Sequence, residues 1–453
     1  MKLVQQALAE AARHGVSANE MRARVQAIVR DPAAHLDDPI FGAAAGAMVP
    51  GQEPQATFIA RSEPAPWKQW GSDLEDESIR QMRNAADLPV AVAGALMPDA
   101  HVGYGLPIGG VLATDNAVIP YAVGVDIACR MKLTVLDLPA NAIKSQTDRL
   151  INAINRETRF GIGAKFRQPH EHPVMDADWS ITTITQRSKD KAWSQLGTSG
   201  SGNHFVEFGT LTLNGDDLGL QAGTYLALLS HSGSRGSGAN VASHFSRLAM
   251  DLHPELPREL RHLAWLDLDT DAGQQYWAAM NLMGEYAAAN HAVIHRAIAR
   301  HLGVHVLADI ENHHNFAWRE THEVDGERRE VIVHRKGATP AGAGVLGIIP
   351  GSMASPGFVV RGRGSDESLH SASHGAGRVM SRTAAKSRFT WSDVKKQLAE
   401  QQITLISAGI DEVPGVYKDI HEVMQQQQDL VDVVARFDPK IVKMAPPGER
   451  AED

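Results

Sequence analysis

From about residue 57 onward the chain sets short apolar runs against glycine-rich turns. VAGALMPDAHVGYGLPIGGVLAT (92–114), KLTVLDL (132–138), TYLALLSHSGSRGSG (224–238), EVIVHRKGA (330–338) and GIIPGSMASPGFVVRG (347–362) all follow this pattern. Brief apolar runs bounded by Gly, Pro and Ser read as strands that end in loops. The 40 glycines imply many tight turns or close backbone approaches. Helices interrupt the strands, most clearly over about 272–302, where Tyr276, Met280, Met283 and Ala287 recur at helical spacing. A shorter amphipathic helix is expected from Ser392 to about 401. The alternation is not a regular βαβ series, so it predicts an α+β fold.

The first residues have a different texture. Leu3, Leu8, Ala11 and Ala12 are spaced for a helix, Gly15 is placed to stop it, and Ser17 is placed to cap a second, giving a helical hairpin over 2–31. Residues 32–56, with FGAAAGAMVPGQEP, read as a linker or surface wrap. The expected organisation is therefore a helical extension and linker at 1–56, followed by one large domain at 57–453.

MKLVQQALAEAARHG carries no uninterrupted apolar core of a secretory signal, and no run approaches the roughly 20 apolar residues of a membrane span. One cysteine rules out a disulfide framework and fits a reducing compartment, so a soluble cytoplasmic protein without a membrane partner is expected. With a net charge of −9, a nucleic-acid partner requires a local basic groove rather than global attraction.

Five stretches set ionisable residues among small ones. They are Asp126 with Cys129, Asn203 with His204, SHSGSRG (230–236), His313-His314-Asn315 and SHGAGR (373–378). Each follows or interrupts an apolar run, where loops carry function on a rigid scaffold. A lone cysteine is usually a small buried hydrophobe, and a lone histidine among glycines is usually a hydrogen-bonded turn residue. Taken together, Asp, Cys and several His form a mixed O/S/N set suited to manganese, zinc or iron. Two ions about 4 Å apart could share the Asp and the Cys. Arg235, Arg378 and Lys336 are candidates to grip phosphate, with structural ion pairing the alternative. His291 and His295, four apart on the long helix, are a weaker metal pair because no acid accompanies them and that helix otherwise reads as core.

The ordered motifs resemble the RtcB family of RNA-splicing ligases from about residue 76 to 445. They are MPDAHVGYGLPIGG (97–110), VGVDIAC (123–129), LGTSGSGNHFVEFG (196–209), HSGSRGSG (231–238), HHNFAWRE (313–320), HRKGAT (334–339), IIPGSM (348–353), SASHGAGRVMSR (371–382), VYKDIHEV (416–423) and PKIVK (439–443). The resemblance implies a domain built around a central metal and nucleotide cleft. It also implies joining of RNA ends bearing a 3′-phosphate or 2′,3′-cyclic phosphate to 5′-hydroxyl ends, in RNA repair or tRNA splicing, with GTP and two manganese ions. By position, Asp126, Cys129, His204, His231 and His314 resemble the manganese ligands, and His374 resembles the nucleophile that becomes guanylylated. Asn203, Glu207, Ser352, Ala376, Gly377, Tyr417 and Lys443 resemble the guanosine nucleotide pocket, with Glu207 and Lys443 at the guanine edge. An archease-type activator is a further partner that the resemblance brings into question.

Three positions depart from the family pattern and suggest a divergent bacterial paralogue. Arg130 replaces the usual Gly after the cysteine and is expected to reach a phosphate or crowd the nucleotide. Gly357 stands where a second nucleotide-contacting Ser is common. His291 stands where an Arg is common, which is expected to weaken a contact to RNA. Two other functions compete with ligation: a metal-dependent RNA-end phosphodiesterase or phosphatase that needs no guanylylation, and a non-catalytic RNA-end binder.

Overall fold

The computed structural model describes residues 7, 8, 11, 16–35, 38–42, 45, 58–324 and 326–449. The chain divides into two compact units, residues 1–58 and 59–453. In the first, helix α1 (Ala18–Arg30) is capped by Ser17, whose Oγ accepts from the Glu20 amide at 3.3 Å. Ile28 is buried with Ala7, Ala11, Phe41 and Ala45. The rest of the helix expected before Gly15, and all of 46–57, lie outside the described residues.

The larger unit is a mixed α+β structure. Its strands of three or more residues are β1 (Trp67–Gln69), β2 (Ala91–His101), β3 (Ile108–Thr114), β4 (Arg130–Pro139), β5 (Phe205–Leu213), β6 (Gly223–Ser232) and β7 (Val306–His313). They continue with β8 (Asn315–Val324), β9 (Glu327–Lys336), β10 (Ala338–Pro340), β11 (Leu346–Ile349), β12 (Gly357–Gly362), β13 (Ser371–Ser373), β14 (Thr404–Ser407) and β15 (Val431–Met444). Its longer helices are α2 (Asp76–Ala86), α3 (Thr147–Glu157), α4 (Thr183–Gln195), α5 (Arg235–Leu252), α6 (Asp271–Leu302) and α7 (Trp391–Glu400). Helix α7 begins one residue before the expected start, behind Thr390.

Two sheets carry the fold. The larger has the order β11-β12-β15-β5-β6-β4-β7, with β14 paired to β15, and the smaller has the order β1-β2-β3-β9-β8. The loop from β7 to β8 passes from one sheet to the other, and β10 pairs with β13 in a separate two-stranded sheet. Apolar alternation drives the larger sheet: Met131, Leu133 and Val135 pack with Leu211, Ala227, Leu229, Val359 and Phe437 on one face. The other face, with Leu136, Val206, Phe208, Leu226 and Leu228, is covered by α3 and by Ile294, Ile298 and Leu302 of α6. Among the described residues no helix is long and apolar enough to cross a membrane.

Helix α6 does more than fill the core. Asn290, fully buried, accepts from the Gly197 amide at 2.7 Å and donates to the Thr198 carbonyl at 2.9 Å and the Ser232 hydroxyl at 3.2 Å. His291 and His295, the weaker metal pair, both face the Ser230 hydroxyl at 2.7 and 2.8 Å. Their other nitrogens meet the Ser232 carbonyl and Thr134 Oγ1. They are hydrogen-bonded core histidines, and their burial keeps both far below the ordinary imidazole pKa. His291 is fully buried and makes these hydrogen bonds inside the core.

Asn290→Ala removes three buried hydrogen bonds and strands their partners. It is expected to cost about 2–4 kcal/mol in urea unfolding; a loss below about 0.5 kcal/mol would contradict this account of how α6 holds the loop.

Candidate active site

A cavity of about 750 Å³ opens where the two sheets meet. It is lined by Asp126, Cys129, Asn203, His204, Glu207, His231, His314, Ser352, His374, Ala376, Gly377 and Tyr417 among others. Four chain segments bring the ionisable groups together. A turn with Ala128 at φ +57° carries Asp126 and Cys129 into the start of β4, and the Cys129 amide donates to the Asp126 carbonyl at 3.2 Å. His204 sits at the entry to β5, His231 near the end of β6, and His314 between β7 and β8. Strand register aligns them: Arg130 pairs with Ser232 and His313, and Phe205 pairs with His231. The His314 amide donates to the Cys129 carbonyl at 3.0 Å, tying the second loop to the first.

At the centre, Cys129 Sγ lies 3.0 Å from His231 Nε2 and 3.4 Å from His204 Nε2. His231 Nε2 is 3.2 Å from His314 Nε2, and His204 Nε2 is 3.1 Å from Asp126 Oδ2. His204 Nδ1 donates to the Ser199 carbonyl at 2.8 Å, and His231 Nδ1 to that of Asn203 at 3.1 Å. A neutral imidazole that donates from Nδ1 has only a lone pair at Nε2. Burial pushes His231 down to about 3 and His314 well below the ordinary value, so these rings are neutral. Asp126 Oδ2 is buried with no hydrogen-bond partner. Lone pairs of sulfur, nitrogen and oxygen thus converge with too few protons to bridge them, an arrangement that suits cations.

The donors fall into two triads, Cys129–His231–His314 and Asp126–Cys129–His204, each with its ligand atoms within 4.8 Å of one another. Cys129 is common to both triads and Asp126 belongs to one. Gly233 makes room for this carboxylate: a Cβ there would lie 2.1 Å from Asp126 Oδ1.

His374 approaches from the other side, its ring centroid 5.0 Å from that of His314. Asp99 on β2, fully buried, holds it. Asp99 Oδ2 accepts from His374 Nδ1 at 2.8 Å and from the amides of His374 and Gly375 at 3.1 and 3.2 Å. That interaction leaves Nε2 of His374 as the ring's nucleophilic lone pair. Asp99 was absent from the residues singled out in the sequence, although it stands inside MPDAHVGYG (97–105); a buried acid two residues before a histidine at a strand end was the available signal. Gly377, at φ +74°, seats the following turn, since a Cβ would lie 2.1 Å from the Asp99 carbonyl.

Of the seven residues expected around a nucleotide, Asn203, Glu207, Ser352, Ala376, Gly377 and Tyr417 line the cavity, and Lys443 does not. Its neighbours Val442 and Met444 face the cavity, so the two-residue period of β15 turns Lys443 away, 5.4 Å from the Phe160 ring centroid. Burial alone pushes the Glu207 carboxyl well above its usual range. Gly357 lines the cavity, and near it Ser352 and Ser355 share a hydrogen bond at 2.8 Å.

The phosphate-gripping candidates separate. Lys336 and Arg378 line the cavity, whereas Arg235, the first residue of α5, is buried against Gly200 and Thr198. Lys336 donates to the Tyr104 carbonyl at 2.6 Å, and burial lowers its pKa to about 7. Arg378 lies over the Tyr417 ring and donates to the Asp411 carbonyl at 2.9 Å. Arg130 corrects another expectation. It neither reaches nor crowds the cavity, because Cys129 and Met131 face inward while Arg130 faces α6, meeting Glu311 at 3.2 Å and the Gly284 carbonyl at 3.3 Å.

A family model described as tRNA-splicing ligase RtcB matches residues 81–181 and 176–444. The RNA-splicing ligase RtcB of Escherichia coli K12 is 36% identical over 409 residues, covering 83% of this chain and 96% of that protein. The tRNA-splicing ligases RtcB of Nanoarchaeum equitans and Thermococcus kodakarensis are 32% and 29% identical, each over 81% of this chain and over 91% and 90% of their own lengths.

The shared thiol gives a direct test. Metal-stripped protein titrated with cobalt(II) is expected to develop an intense thiolate-to-cobalt charge-transfer band that Cys129→Ala lacks. Retention of that band in the variant would remove Cys129 from the metal site.

Proposed function

Because the chain belongs to the RtcB family and is an RNA ligase, we propose that it joins RNA 3′-phosphate or 2′,3′-cyclic phosphate ends to 5′-hydroxyl ends through a guanylylated His374. The observation that carries this reading is the facing arrangement of His374, oriented by Asp99, and two donor triads that share Cys129. Divalent ions held by Asp126, Cys129, His204, His231 and His314, manganese by family resemblance, would neutralise phosphate charge close to His374.

His374 Nε2 attacks the α-phosphorus of GTP, a P–N bond forms as the bond to pyrophosphate breaks, and Asp99 stabilises the charge gained by the ring through Nδ1. The RNA 3′-phosphate then takes the guanylyl group from His374, and the 5′-hydroxyl displaces GMP as the phosphodiester forms. Asp99 keeps Nδ1 protonated throughout, so Nε2 is both the attacking and the leaving atom.

Guanine selection follows from Glu207. In the empty cavity burial disfavours its charge. Guanine, with N1–H and an exocyclic amine, offers two donors to the carboxylate, and adenine's corresponding edge does not. Lys336 and Arg378, whose side chains line the same cavity, supply positive charge for RNA or pyrophosphate in a chain that is acidic overall.

Incubation with α-labelled GTP and manganese is expected to give a protein adduct that is stable to alkali, labile to acid and absent from His374→Ala. A folded wild-type protein that forms no adduct would end the ligase-by-guanylylation reading. Asp99→Asn is expected to slow adduct formation by about 10- to 100-fold with little change in the GTP concentration for half-maximal rate. Lys336 is charged below its depressed pKa and neutral above it. kcat/KM for the RNA end is therefore expected to fall as pH rises through about 7, and this dependence should vanish in Lys336→Met.

A further inference from the structure

Outside the cavity, the smaller sheet carries another cluster of ligand-type side chains. Glu320 and His322 lie two apart on the edge strand β8 and so share a face. His370 comes to them from the segment between β12 and β13. One ligand atom each of Glu320, His322 and His370 lies within 4.8 Å of the other two. The two imidazole rings have centroids 4.6 Å apart.

We propose that Glu320, His322 and His370 form a divalent transition-metal site, of the zinc class, that pins the segment leading to His374 onto the edge of the smaller sheet.

Three features support an ion here. First, His322 is buried, and its Nδ1 has no hydrogen-bond partner, while Nε2 meets Glu320 Oε2 at 2.8 Å. An ion taking the place of the proton between His322 Nε2 and Glu320 Oε2 would be bound by both side chains. Second, His370 is already oriented by a carboxylate outside the triad, Asp366 Oδ1 at 2.9 Å from its Nε2. Carboxylate partners that fix ring orientation are the usual outer support of histidine ligands.

Third, the site is braced. Arg335, fully buried, places Nη1 and Nη2 on Glu320 Oε1 and Oε2 at 2.6 and 2.9 Å. It also donates to Ser371 Oγ at 2.7 Å and the Leu369 carbonyl at 2.8 Å. Burial works against the Glu320 charge, but the His322 hydrogen bond and the Arg335 guanidinium hold the carboxyl at about 2. Two nitrogens and one oxygen with an exposed flank suit zinc with a solvent molecule in the fourth position.

Position gives the site its consequence. Leu369 and His370 both take left-handed backbone, at φ +51° and +50°, and β13 (Ser371–Ser373) runs from there into His374. An ion on His370 therefore restrains the stem of the loop that carries His374.

Metal-stripped full-length protein is titrated with cobalt(II), following both absorption and metal retained after gel filtration. Both triads at Cys129 contain the thiol and report through charge transfer, whereas a nitrogen/oxygen site reports through weak ligand-field bands alone. The expected result is one equivalent beyond saturation of the charge-transfer band, displaced by zinc. That equivalent should be missing from His370→Asn, whose Asn tolerates the left-handed backbone, with the charge-transfer band intact. Equal metal content in the wild type and His370→Asn would overturn the proposal. So would a wild-type titration in which all absorption stops growing with the charge-transfer band, a result that needs no variant to fold.

Discussion

Everything around the cavity depends on keeping lone pairs of Cys129, His204, His231, His314 and Asp126 within a few ångströms of one another. Such a cluster is repulsive unless a cation or a proton lies between its members, so the surrounding fold must hold it in place. The scaffold does so through backbone pairing. β4, β5, β6 and β7 are adjacent strands of one sheet, and their paired ends deliver the sulfur and three imidazoles without any long flexible arm. Behind them, α6 supplies Asn290, His291 and His295, whose hydrogen bonds to the 197–198 loop and to Ser230 and Ser232 fix the strand that bears His231. The side chains that look most like an unused metal pair are thus the rear support of the real cluster.

Much of this was legible because strand-end loops announce themselves chemically. Glycine-rich breaks after apolar runs marked the segments bearing Cys129, His204, His231, His314 and His374, and all five line one cavity. Convergence was not legible, since it arises from sheet order: β4 lies between β6 and β7, which are more than 70 positions apart in the chain. Asp99 was missed for a related reason. It lies in the smaller sheet and its partner His374 follows a strand of neither large sheet, so no local pattern connects two residues separated by 275 positions.

Arg130 and Lys443 have one feature in common, which is side-chain direction along a strand. Arg130 follows a metal-type ligand in sequence, and Lys443 was placed at the nucleotide by its position in the family-like motif PKIVK. A strand reverses the side-chain direction at each residue, and both charged groups end on the far face. Arg130 stands behind the cavity for this reason. Its guanidinium meets Glu311 and a helix carbonyl behind the sheet, and the cavity is unaffected. A departure next to the chemistry in sequence is here a change in the wall behind it.

The same logic ranks the two metal-type regions by what they can do. At the cavity, lone pairs face open space beside His374, so ions there can meet a phosphate as well as the protein. At Glu320, His322 and His370, Arg335 holds both carboxylate oxygens and also donates to the Leu369 carbonyl and the Ser371 hydroxyl. An ion in the first place would serve chemistry, and one in the second would serve position. The two are linked through the few residues from His370 to His374, whose separation is fixed by β13 pairing with β10. Rigidity at His370 therefore passes directly to the ring that Asp99 aims at the cavity.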